Sequence, residues 1–96
     1  MESKQIEFKY LLNDETEINI VLKFGYNKKY EIDDNELNSQ IINSSNIGLK
    51  NYIEKNKDVD LAKLQLNMIE VEKEIFQELQ KLDGIDAQIV NIIGIM

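Results

Sequence analysis

The chain has 96 residues, 43% of them hydrophobic, and a formal net charge of −7, which suits a single domain (1–96) with one modest core. It contains no cysteine and no histidine, which excludes a disulfide framework, thiolate chemistry and a structural zinc site. It also lacks arginine, so the bidentate forks and basic field that direct nucleic-acid binding needs are missing.

In chain order, Ile6, Phe8, Tyr10 and Leu12 alternate with polar residues, and Ile18, Ile20, Leu22 and Phe24 do the same. Both runs read as half-buried strands. A polar loop at Asn13-Asp14-Glu15 with Leu12 opposite Thr16 brings Ile6 to Leu22, Phe8 to Ile20 and Tyr10 to Ile18, so every apolar residue lands on one face. A second loop around Tyr26-Asn27-Lys28 extends the pattern, with Phe24 meeting Tyr30 and Leu22 meeting Ile32. The expectation is an α+β fold whose three-stranded antiparallel β-meander, about residues 5–32, is covered on its apolar face by helices.

Residues 33–57 read as short helices. Asp33 with Glu36 three residues on resembles a capping box, which accounts for the acidic cluster at 33–36 without a metal ion. Leu37, Ile41 and Ile42 give an apolar side, Asn43-Ser44-Ser45-Asn46 interrupts, and Ile47, Leu49, Tyr52 and Ile53 form a second short piece in which Gly48 weakens the helix.

Residues 58–83 carry the longest periodic pattern and predict one long amphipathic helix capped by Asp58. Leu61, Leu64, Met68, Val71, Ile75 and Leu82 form a seam. Ile69 and Phe76 fall on a second strip, with the polar Gln65 and Glu72 between the two. Glu72 either lays its stem across apolar surface with its head in water or is a buried, paired carboxylate.

Gly84 fits a left-handed position after that helix. The tail, residues 84–96, reads as an apolar helix or strand, with the tight link at 83–86 favouring a helical hairpin. The expected core includes Phe8, Ile20, Leu22, Phe24, Ile41, Tyr52, Ile53, Leu64, Met68, Val71 and Ile75.

No run is long enough to span a bilayer and no signal peptide opens the chain, so a soluble, cytoplasmic protein is expected. No nucleophile, acid–base pair, metal cluster or cofactor loop is evident, which points away from an enzyme. Two functional readings remain. In the first the chain is an acidic protein-binding module of the kind exemplified by a stoichiometric, nucleic-acid-mimicking inhibitor of a basic nucleic-acid-handling protein, an analogy of size and charge with phage-borne inhibitors. Its partner-binding residues would be Glu70, Glu74, Glu78 and Asp83 with Ile69 and Phe76, since residues 58–96 hold eight carboxylates against three lysines. In the second it is a structural or assembly subunit, a homo-oligomer built through the long helix and the apolar tail.

Overall fold

Strict alternation in the first third of the chain builds two long antiparallel strands, β1 (Glu2–Leu12) and β2 (Thr16–Lys28). The computed structural model describes residues 1–13 and 15–96. Ile6 pairs with Leu22, Phe8 with Ile20, Tyr10 with Ile18 and Leu12 with Thr16, the register that the apolar pattern requires. The turn opens at Asn13, whose φ of 55° is a left-handed conformation that asparagine tolerates. Asp14, the middle of the expected loop, lies outside the described residues.

The third strand comes from elsewhere. Residues 30–32 form no strand; β2 instead pairs along its other side with β3 (Ile85–Ile95), so that Leu22 meets Ile92 and Phe24 meets Val90. The competing segment is short because Asp33 already caps a helix, whereas the tail buries Ile85, Ala87, Val90, Ile92 and Ile95. The tail is therefore a strand and not the helix that the short link suggested. The fold remains α+β, with an open three-stranded antiparallel sheet in the order β1-β2-β3.

β3 is irregular. Between Gly25 and Tyr26 its partners jump from Ile89 to Ala87, and between Val21 and Leu22 from Gly94 to Ile92, so Gln88 and Ile93 are extra residues in two bulges. Gly84, before the strand, is not left-handed. Its carbonyl accepts the Lys29 amide at 2.9 Å, and a Cβ there would sit 3.1 Å from the Tyr30 hydroxyl, so a close approach explains the glycine.

The helices also differ from expectation. Asp33 caps α1 (Asp34–Lys55), accepting the Asn35 amide at 3.0 Å, but the helix runs unbroken through 43–46 for 22 residues and is the longest in the chain. Ser44, Ser45 and Gly48 lie on its buried stripe with Leu37, Ile41, Leu49 and Tyr52. Packing overrides their weak helix propensity.

The segment expected as one long helix over 58–83 divides into α2 (Leu61–Leu66) and α3 (Met68–Leu79). Asn67 lies between them with ψ at 33°, and its side-chain amide folds back on the Lys63 carbonyl at 3.0 Å. Asp60 caps α2 through the Lys63 amide at 2.8 Å. Asp58, the expected cap, instead holds a left-handed turn with φ of 54°.

The core is the layer between sheet and helices. Ile18, Ile20 and Leu22 of the central strand are fully buried, as are Leu37, Ile41, Leu49, Leu64, Val71, Ile75 and Leu79 of the helices. All of the expected core is buried except Ile53 and Met68, which pack against it half-buried. α1 and α3 touch backbone to backbone: a Cβ on Gly48 would lie 2.6 Å from the Ile75 Cα and 2.9 Å from the Glu74 carbonyl oxygen.

Gly48→Ala gains up to ~1 kcal/mol of helix propensity but forces α1 from α3, so a net loss of about 1–3 kcal/mol is expected in urea unfolding. Deleting residues 87–96 removes four core residues and bares one side of β2, so the cooperative thermal transition should vanish from circular dichroism. Burial raises the Tyr26 phenol above its ordinary 10.0, with the Glu2 and Asp34 carboxylates adding and Lys28 opposing. The fold thus favours the neutral phenol. That contribution is intact below pH 10 and is lost as pH rises through the raised value, so Tyr26→Phe should flatten the alkaline fall in stability.

Candidate functional site

Two surfaces compete, and both follow from how α3 is held. On one side α3 runs antiparallel against α1, which turns its carboxylates toward that helix. Glu74 is ion-paired with Lys55 and only 13% of its side chain is exposed. Glu78, at 12%, accepts from the Asn51 side-chain amide and from the Lys81 ammonium, each at 3.0 Å. Glu70 faces solvent beside Lys73 at 3.7 Å, and Asp83 is exposed. Of the four carboxylates expected to form one acidic face, two are therefore already neutralised in the α1–α3 crevice.

The same crevice opens below into a polar groove of about 300 Å³ lined by Tyr52, Lys55, Asn67, Lys73, Glu70 and Glu74. Its two lysines and two carboxylates balance, so it has no net field to select a charged ligand. Among the described residues no group of three or more carboxylates is placed to hold a metal ion, and no helix is long and apolar enough to cross a membrane.

The other side of α2 and α3 follows the free edge of β3. Glu72 accepts the Ile92 amide at 2.8 Å, and the Gln65 side-chain amide donates to the Ile95 carbonyl at 2.7 Å. These contacts answer what the two polar residues do amid an apolar pattern: neither simply reaches water nor pairs with a lysine, since each meets a backbone group of an edge strand. Ile69 and Phe76 share their strip at helical spacing and so lie along the same edge. Ile69 is 67% exposed, whereas Phe76 packs half-buried against the core.

Sequence reasoning placed Ile69 and Phe76 on a distinct strip but attached them to the acidic face. It missed two further exposed apolar residues, Leu66 at the end of α2, 84% exposed, and Ile93 at a bulge of β3, 54% exposed. The signal for Ile93 was the run Ile92-Ile93-Gly94-Ile95-Met96, which holds no polar side chain and which an ordinary strand alternation does not produce. No charged side chain occurs from Ala87 to Met96.

Searches against family models, curated proteins and solved structures find no match to this chain.

Proposed function

We propose that the chain is a non-catalytic protein-binding module that acts as an assembly subunit, associating with copies of itself along the β3 edge. The observation that carries this reading is the apolar border of β3 from Ala87 to Ile95, which follows Asp86 and holds no charged side chain, together with the exposed Ile69 of α3. A long edge strand without charge or proline is a template for another strand, and exposed isoleucines beside it supply area to bury.

The occupant that fits an uncharged strand edge is a like edge from a second copy, and charge limits where it docks. At −7 two copies repel, and the stretch from Ala87 to Met96, which holds no charged side chain, is where that cost is least. Antiparallel pairing about a twofold axis puts the same strip on both sides and extends the sheet across the contact. The proposed setting is the cytoplasm, in keeping with the cysteine-free composition.

The acidic-inhibitor reading is second. It is favoured by the concentration of negative charge in residues 58–96 and by the exposure of Glu70 and Asp83, and weakened by the pairing of Glu74 and Glu78. Salt separates the two readings. Association of like-charged copies through an apolar strip strengthens as salt screens their repulsion, while docking on a basic partner weakens.

Size-exclusion chromatography with light scattering, across two decades of concentration at low and high salt, should show a dimer that grows with both. Ile69→Asp should shift the population to monomer while leaving the melting temperature nearly unchanged, because its side chain is exposed. A monomer at every concentration and salt overturns the assembly reading.

A further inference from the structure

We propose that Gln65 and Glu72 stand in for a missing fourth strand: they close the β3 edge within one chain and leave it when a strand from a second copy adds. The inference rests on the reading of β3 as the contact surface, but its test stands apart from that reading.

An edge strand offers amides that need acceptors and carbonyls that need donors. The two residues match this demand by type. The carboxylate of Glu72, which can only accept, meets the Ile92 amide, and the NH₂ of Gln65 meets the Ile95 carbonyl. Order matches as well. The helical layer runs antiparallel to the strand, Gln65 of α2 meeting Ile95 and Glu72 of α3 meeting Ile92.

Glu72 is the more telling of the two, since it is only partly exposed and lies between the apolar seam and the strip of Ile69 and Phe76. A backbone segment from a second chain would present a carbonyl to Ile92 and an amide to Ile95, the functional groups that Glu72 and Gln65 now supply. Strand addition therefore exchanges hydrogen bonds one for one and returns both side chains to water. The caps make association compete with an internal contact, which weakens it and keeps it reversible.

The test is Gln65→Met/Glu72→Met, which keeps side-chain length but removes acceptor and donor. The control is Glu70→Met/Gln77→Met, the same change of charge and polarity at exposed positions away from β3. In analytical ultracentrifugation the edge variant should self-associate at least tenfold more tightly than wild type, and the control should stay within about threefold. A folded edge variant that associates no more tightly than the control overturns the proposal. Should the double variant fail to fold, Gln65→Met alone is compared with Gln77→Met alone, both at exposed positions, and an association at least threefold tighter than that single control is expected, with equality overturning the proposal. A wild type that stays monomeric while the edge variant dimerises keeps the caps and rejects the assembly reading. A wild type that associates as tightly as the edge variant does the reverse.

Discussion

The contact of Gly48 with the backbone of Ile75 is the constraint on which the rest of the arrangement depends. Three strands set their outer axes about 10 Å apart, and packed helices lie 8–10 Å apart. Two helices cover such a narrow sheet without overhang only when they sit at the short end of that range. Gly48 permits this, and the small Ser44 and Ser45 keep the same stripe low. Ser45 is fully buried with its hydroxyl unpartnered, so its size matters here and not its polarity. The close approach also orients α3. With Ile75 against α1, Glu74 and Glu78 face Lys55 and Asn51, and the opposite flank, Glu72 with Ile69 and Phe76, is left to β3.

That orientation gives the two sides of α3 different work. One side spends its charges internally, which leaves the chain acidic in sum but less acidic at its surface than its composition suggests. The other side carries polar residues only where the strand edge has a backbone group to be met. A sheet of three strands has two edges. β1 carries Lys4, Glu7 and Lys9 along its length, an ordinary deterrent to pairing, whereas the middle and end of β3 carry no charge and rely on bulges and two side-chain caps.

How much of this was legible depended on whether local pattern and tertiary demand agreed. They agreed in the hairpin, where strict alternation and a short polar loop leave one register with all apolar residues on one face. They disagreed in β3. Its buried residues, Ile85, Ala87, Val90, Ile92 and Ile95, are spaced by two, three, two and three, because each bulge inserts a residue. That spacing is neither a strand's nor a helix's, so periodicity had nothing to grip. Ser44, Ser45 and Gly48 read as an interruption because propensity is local and the reason for them is a helix far along the chain. Asn67 hid inside a good heptad, since Leu64, Val71 and Ile75 continue the seam across the break. The edge caps were visible as an anomaly in Gln65 and Glu72. Their role was not, because the strand they serve had not been recognised as one.

The placement of β3 after all the helices has a consequence for the way the chain is made. β2 is complete at Lys28, but the strand that covers its second side begins at Ile85. At ribosomal speeds of 5–20 residues per second, roughly 3–11 s pass between them. Throughout that interval any pairing of β1 with β2 leaves one side of β2, with Ile18, Ile20 and Leu22, open. A neighbouring chain on the same polysome passes through the same stage. The isoleucine-rich tail can then close on its own β2 or on another's, so crowding of ribosomes on the message competes directly with correct sheet completion.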